Sequence, residues 1–221
     1  MKEVINTPII KTISSQIAAR VREKILSGAY EPGQALLQDS IAAEFGVSKI
    51  PVREALVHLR SEGLVDIFAH RGFQVRRLSA TEAEEVFRLR IQLEPGAVML
   101  GARSAEPDER AAADQALNAL NAALSEHRLA SIGDLNSAFH LSLIVPRAQP
   151  VAFEILGRLH TLSQRYVQMH LLPTGRIRRA IREHVALHRA WSAGKAREAG
   201  VLARVHIEET RDELSRSLAL S

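Results

Sequence analysis

Apolar residues near the start of the chain recur at four-residue steps, at Ile13, Ile17, Val21 and Ile25. A spacing of three or four residues is the period of an α-helix that buries one face. Glycine is a common residue just past the end of a helix. The pattern therefore predicts a first helix that ends near Gly28.

Two shorter helices and a hairpin are predicted next. A helix over 41–45 stops at Gly46. Another runs over 48–62, and Ser48 at its start suits the N-cap position. The apolar pattern then changes to the two-residue period of strands, over 64–68 and 73–76. Three short helices followed by a β-hairpin are the layout of a winged helix-turn-helix.

After this hairpin the pattern is helical to the end of the chain. Ser79 and Glu82 have the spacing of a capping box, which marks a domain boundary between residues 78 and 79. Pro95 lies inside the first of these helices, and we expect it to kink or break that helix. The expected helices are 81–104, 107–127, 131–145, 149–171, 174–193 and 195–217.

The predicted fold class is therefore mainly α, with two domains. Residues 1–78 form a winged helix-turn-helix domain, and residues 79–221 form an all-helical bundle. The hydrophobic fraction of 46% is enough for two cores, and the lack of cysteine excludes disulfides and thiolate metal sites. We expect a cytoplasmic protein, because the chain has neither a signal-peptide pattern nor an apolar run of about 20 residues.

Charge is distributed unevenly between these two predicted domains. Residues 1–78 carry 11 Lys and Arg against 8 Asp and Glu, whereas residues 79–221 carry 18 against 17. A positive excess in the smaller domain suits a surface that faces phosphates.

The helix over 48–62 is the predicted DNA-reading element. Ser48, Lys49 and Arg53 lie near its exposed N-terminal end, which in a helix-turn-helix enters the major groove. One Lys and one Arg alone are typical of a solvated helix face. The turn, the cap, the hairpin and the charge excess coincide here, and together they favour DNA binding.

Three of the nine histidines stand out in the second domain. His140 follows Asn136 by four residues, so the two share a helix face, and His184 and His206 fall on two further helices. Helices of a bundle can direct side chains to one interior point. Three imidazoles and one oxygen suit a divalent transition metal, although each histidine taken alone is more often packed or solvent-exposed.

The N-terminal motifs resemble those of GntR-type transcription regulators. The resemblance implies that Lys49 and Arg53 contact DNA, and that a wing tip formed by His70, Arg71 and Gly72 lies near the minor groove. We expect Ser48 and Pro51, at the same end of the helix, to belong to the DNA-binding surface as well. The matching residues are Gly28, Pro32-Gly33, Gly46-Val47-Ser48, Pro51 to Leu56, Leu59 and Glu62 to Val65.

The C-terminal part is similar to the FCD ligand-binding domain of the FadR branch of these regulators. The resemblance implies that zinc, nickel or manganese is held by Asn136, His140, His184 and His206. It also implies an effector carboxylate near Arg90, whose alternative role is an internal salt bridge with Glu94, and we expect His188 to line the same pocket. The matching residues are Arg90 to Pro95, Phe139-His140, Glu183-His184 and His206.

These observations predict a regulator rather than an enzyme. We expect a homodimeric repressor that binds palindromic double-stranded operator DNA on the bacterial nucleoid and responds to a small organic acid at or near the metal. One alternative is a helical metal-dependent hydrolase that uses the three histidines. Another is a regulator with a metal-free pocket for an apolar acid. A run of arginines in the second domain is typical of a solvated helix face: Arg176, Arg178, Arg179 and Arg182.

Overall fold

The computed structural model of the chain describes residues 12–68, 72–126, 129–167 and 177–218. The chain divides into two compact units. One runs to Ile25 and then from Ala29 to Arg76, and the other contains Leu26–Gly28 and the chain from Arg77 onward. This division falls two residues before the domain boundary expected between residues 78 and 79.

The first unit contains short helices and a small sheet, in the predicted order. Of the apolar positions that predicted the first helix, Ile17, Val21 and Ile25 are buried, whereas Ile13 at the start of the helix is exposed. The elements are α1 (Ile13–Leu26), β1 (Ala35–Leu36), α2 (Gln38–Phe45), α3 (Lys49–Ser61), β2 (Val65–Phe68) and β3 (Gly72–Val75).

The sheet of this unit has three antiparallel strands in the order β1-β3-β2, with Ile67 opposite Phe73. The predicted hairpin is present as β2 and β3. The sequence pattern did not reveal β1, because its two residues are too few to show a two-residue period. The wing of the predicted winged helix-turn-helix is therefore anchored by an additional short strand.

The second unit is helical throughout its described residues, which confirms the predicted fold class. Its helices are α4 (Ala80–Ser104), α5 (Pro107–Ser125), α6 (Leu129–Ser142), α7 (Pro150–Tyr166), α8 (Ile177–Ser192) and α9 (Ala196–Leu218). The prediction that Pro95 could break the first of these helices was wrong, because α4 is continuous. Glu94 before the proline and Ala97 after it are both buried, so packing holds both halves of the helix in place.

Helix α4 is central to this unit and packs against α7, α8 and α9. Trp191 on α8 is fully buried, and its Nε1 donates a hydrogen bond to the carbonyl of Leu143 at 2.9 Å. The core around Trp191 draws residues from α4, α5, α6, α8 and α9. Leu120, Leu124 and Ile132 of this core also line the cavity that contains the candidate site. Within the ranges that the structure describes, none of the helices has the length and apolar character to cross a bilayer.

Candidate functional site

The turn between α2 and α3 gives the first unit its candidate DNA-reading surface. Gly46 adopts a left-handed conformation with φ of 64°, and its N–H donates to the carbonyls of Ala42 and Ala43. Ser48 then stands at the N-cap of α3 in an extended conformation. Val52 and Leu56 are fully buried, so the opposite face of α3 is turned to solvent.

The exposed face of α3 carries the cations that the sequence analysis singled out. Arg53 is exposed and makes no hydrogen bond or ion pair within the described part of the chain. The Nζ of Lys49 lies 2.7 Å from the Asp39 carboxylate, but both side chains are highly exposed. Such a surface ion pair contributes little stability, so phosphate can compete for the lysine. Ile50 is 70% exposed beside them, which the sequence analysis did not anticipate.

The predicted wing-tip residues are only partly covered by the structure. Gly72 opens β3 with φ of 73°, a conformation that favours glycine. His70 and Arg71 lie outside the described residues. Pro51 is half-buried in the first turn of α3.

The second unit contains a cavity of about 90 Å³ that is lined by α4, α5, α6, α8 and α9. Apolar side chains such as Phe87 and Leu120 form part of its wall. The polar lining residues are Arg90, Asn136, His140, Arg179, Glu183, His184, His206, Thr210 and Glu213. The four predicted metal ligands, Asn136, His140, His184 and His206, therefore line the same cavity.

His140 on α6, His184 on α8 and His206 on α9 meet in this cavity. One ring nitrogen from each lies within 4.8 Å of the others. The ring centroids are 5.3 Å apart for His140 and His184, 5.1 Å for His140 and His206, and 4.7 Å for His184 and His206. Asn136 lines the cavity one helical turn before His140.

The ring nitrogens of His140 and His184 fit a metal ion. Both residues are buried, and Nε2 of His140 and both ring nitrogens of His184 have no hydrogen-bond partner among the described residues. An unsatisfied buried polar atom costs roughly 1–3 kcal/mol. Burial lowers the pKa of His140 to about 3, and burial with the neighbouring His206 and His140 lowers that of His184. Both rings are therefore neutral at pH 7 and keep a lone pair for a cation.

Arg90 and Glu94 form a buried ion pair behind His140. Arg90 donates from Nε to Glu94 Oε2 at 2.9 Å and from Nη1 to Ser163 at 3.0 Å. Of the two roles expected for Arg90, the internal salt bridge is therefore present. Two further neighbours of Glu94 were not predicted from the sequence: Nε2 of His160 on α7 lies 3.2 Å from its carboxylate, and Nδ1 of His140 lies 3.0 Å from it.

Glu94, His140 and His160 form a second group of donor atoms close enough for one cation. Burial alone would raise the pKa of Glu94, but Arg90 and His160 outweigh it and hold the pKa well below the usual range. The carboxylate is thus ionised and already neutralised by a guanidinium. A dication there would lie beside a buried positive charge, which favours the group of three histidines instead.

Arg179 and Glu183 form a corresponding ion pair on α8. Arg179 donates from Nε to Glu183 Oε1 and from Nη1 to Glu213 at 2.6 Å, and it also contacts Glu209. Glu183 Oε2 lies 2.7 Å from the Nδ1 of His206 on α9. The solvated face predicted for the arginine run was wrong for Arg179, because helix packing turns this side chain into the cavity lining.

His188 is not among the residues that line the cavity. Its Nε2 lies 3.0 Å from Asp114 and 3.2 Å from Ser192, and its ring packs near Phe139 and Trp191. The structure therefore does not bring His188 to the three histidines, and its role toward an effector stays a prediction.

Comparison with known families assigns both units. Residues 13–75 match the family model for bacterial regulatory proteins of the gntR family. Residues 85–209, more than half of the chain, match the model of the FCD domain. The chain belongs to the gntR family of regulators and carries an FCD domain. This assignment confirms the resemblance stated from the motifs, and it excludes the hydrolase alternative, since these proteins are transcription regulators and not enzymes.

Individual relatives support the same family. The regulator YdhC of Bacillus subtilis is 30% identical over 130 residues, which are 58% of this chain and 58% of YdhC. The gluconate operon transcriptional repressor of B. subtilis is 39% identical over 79 residues, 36% of this chain and 32% of the repressor. The chain thus matches less than two thirds of the length of each. The solved structure of Escherichia coli McbR/YncC has a TM-score of 0.79 at 22% identity, covering 94% of this chain and 99% of that chain, so it shares the fold.

Proposed function

We propose that this chain is a cytoplasmic repressor that binds operator DNA and responds to a small organic acid held at a divalent metal ion in its FCD domain. The observation that carries the proposal is the convergence of His140, His184 and His206, of which His140 and His184 are buried and have ring nitrogens without a hydrogen-bond partner among the described residues. Repression is supported by the likeness of part of the chain to the gluconate operon transcriptional repressor. Assignment to the FadR branch is part of this proposal.

His140, His184 and His206 would hold the ion, and Asn136 would add an amide oxygen from α6. A ligand set of imidazole nitrogens and one neutral oxygen suits zinc, nickel or manganese. The ion would supply positive charge and open coordination positions for an effector carboxylate. The chain's own part is to hold three neutral imidazoles on three helices, at one point in a partly apolar cavity.

The charges that line the cavity make anion binding dependent on the metal. Arg90 is paired with Glu94, and Arg179 is surrounded by three carboxylates, including Glu183. Neither guanidinium therefore offers a positive charge that is not already balanced. A carboxylate ligand entering the cavity without a dication would meet little net attraction, so we propose that the metal provides it.

Cavity size favours a short acid over the alternative of a long apolar acid. An apolar cavity of about 150 Å³ in another protein holds one benzene molecule. The cavity here measures about 90 Å³, so it suits a short acid better than an extended fatty chain. Arg90 remains a predicted contact for the acid, since it lines the cavity from α4.

A bound acid could act on DNA binding through α4. This helix contributes Arg90 to the cavity. It begins at Ala80, a few residues along the chain after the DNA-binding unit ends at Arg76. A ligand that favours one packing of α4 against α8 and α9 shifts the equilibrium between two arrangements of the bundle. A change in the direction of α4 is passed directly to the chain that leads into the DNA-binding unit.

We propose that the regulator is a homodimer and that its FCD domain supplies a contact face. Leu93 and Leu100 on α4, with Val201 and Val205 on the adjacent α9, are 41–61% exposed. Two copies would match a palindromic operator.

Val201→Glu should raise the dimer dissociation constant at least about tenfold, because a charge would be buried at the contact. Sedimentation equilibrium measures this, with Ala111→Glu on α5 as control, and a monomeric wild type would contradict the proposal.

Loss of Arg53 should weaken operator binding. A bidentate contact from arginine to guanine is worth about 1–3 kcal/mol, or roughly 5- to 150-fold in affinity. The measurement is a titration of Arg53→Ala against a duplex selected by the wild type from a random-sequence pool. Arg60→Ala, which removes an exposed arginine near the other end of α3, is the matched control. Equal affinities for the two variants would remove Arg53 from the DNA contact.

Ile50 adds an apolar contact to the same proposal. It is 70% exposed in the first turn of α3, between Lys49 and the half-buried Pro51. An exposed apolar side chain on a recognition helix suits the methyl group of thymine in the major groove.

A further inference from the structure

We infer that Glu183 is a positioning residue for His206, and that Arg179 fixes Glu183 in this role. The inference rests on the proposed metal site, and it concerns residues outside the predicted ligand set. In this role, an ion cluster between α8 and α9 orients His206 so that its Nε2 is available to the cavity.

The contact between Glu183 and His206 determines which ring nitrogen carries the proton. Glu183 Oε2 lies 2.7 Å from His206 Nδ1, and an ionised carboxylate can only accept a hydrogen bond. A neutral His206 therefore carries its proton on Nδ1 and leaves the lone pair on Nε2.

Arg179 holds the carboxylate in one orientation. Its Nε donates to Oε1 of Glu183, so one carboxylate oxygen is bound by arginine and the other by histidine. Arg179 is itself held by Glu209 and Glu213 on α9. Glu183 thus has little freedom to rotate away from His206, and both helices are linked through the same cluster.

A similar arrangement occurs behind His140. Arg90 and Glu94 are also four residues apart on one helix, and Glu94 Oε1 approaches Nδ1 of His140 on another helix at 3.0 Å. Two of the three histidines therefore have a carboxylate from a different helix on the Nδ1 side. Carboxylates behind metal-binding histidines fix the ring tautomer and orientation, and their loss typically lowers metal affinity 10- to 100-fold.

The test is a titration of metal-stripped protein with Zn²⁺ or Ni²⁺ alone. Glu183→Ala should weaken metal binding roughly 10- to 100-fold. Glu183→Gln keeps an acceptor oxygen but no charge, so its metal affinity should lie between those of Glu183→Ala and the wild type. Glu209→Ala is the matched control, because it removes another carboxylate from Arg179 without touching His206. Its metal affinity should stay within about threefold of the wild type.

A second measurement reports on His206 without any metal. In the ¹⁵N NMR spectrum of the metal-free wild type, His206 should show the tautomer with the proton on Nδ1, and Glu183→Ala should lose this preference. This result tests the role of Glu183 even if the wild type binds no metal, an outcome that would refute the proposed metal site alone. An unchanged tautomer in Glu183→Ala, or unchanged metal affinity beside a wild type that binds, would overturn the inference.

Discussion

Adding Zn²⁺ or Ni²⁺ to the metal-stripped protein is expected to raise its melting temperature by roughly 8–16 °C. At free metal about a thousandfold above the dissociation constant, binding stabilises the folded state by about 4 kcal/mol. For a chain of this size each kcal/mol corresponds to about 2–4 °C. The gain arises because the ion satisfies a buried nitrogen of His184 and the buried Nε2 of His140, which otherwise have no hydrogen-bond partner in the described structure.

His184→Ala is expected to abolish most of this stabilisation. It removes one of three converging imidazoles. Four ligands together provide about 10–16 kcal/mol in structural zinc sites, so one ligand accounts for roughly 2.5–4 kcal/mol. His188→Ala is the control, because this histidine lies one turn further along α8 but does not line the cavity. Differential scanning calorimetry with and without metal measures both variants. A metal-induced shift that survives in His184→Ala would exclude this residue as a ligand.

Gly101→Ala is expected to destabilise the FCD domain by about 3 kcal/mol or more, which lowers the melting temperature by roughly 6–12 °C. A Cβ at Gly101 would lie 2.1 Å from the carbonyl oxygen of Leu143 and 3.0 Å from Nε1 of Trp191. That carbonyl already accepts the indole hydrogen bond, so it cannot move without disturbing the buried tryptophan. The clash therefore involves backbone and core, where little relaxation is available.

Gly157→Ala is the matched control for this substitution. Gly157 lies inside α7, and nothing lies within 4 Å of an added Cβ. Alanine favours a helix over glycine by about 0.5–1 kcal/mol, so this variant should melt at or slightly above the wild type. Equal melting temperatures for Gly101→Ala and Gly157→Ala would show that α4 does not approach Leu143 as closely as described.

Local patterns were sufficient to predict the turn before α3 and the side of α3 that is exposed. The turn at Gly46, the cap at Ser48 and the buried positions Val52 and Leu56 depend on residues close together in the chain. Such short-range signals determine which face of α3 is exposed. The strand β1 escaped prediction because its pairing with β3 depends on residues about 40 positions away.

The cavity was predictable only in part. Spacing and resemblance placed Asn136, His140, His184 and His206 together, and all four line the cavity. They did not reveal Glu94 and His160 as neighbours of His140, because contacts between helices depend on the rotation of each helix about its axis. A change of one residue in that rotation moves a side chain by about 100°.

Arg179 shows the same limit for charged residues. Three neighbouring arginines made a solvated face the natural interpretation, yet this one is held by carboxylates from α8 and α9. The sequence contained a usable signal, since Arg179 and Glu183 are spaced as an i,i+4 pair. The same spacing joins Arg90 to Glu94, and in both cases the glutamate is also near a histidine of another helix.

The most direct test of the metal site is an X-ray absorption spectrum of the protein loaded with one equivalent of Ni²⁺ or Zn²⁺. We expect the signature of three imidazole ligands, with one imidazole fewer after His206→Ala. A spectrum of the wild type with oxygen ligands alone, or one that His206→Ala leaves unchanged, would contradict a metal site built from His140, His184 and His206.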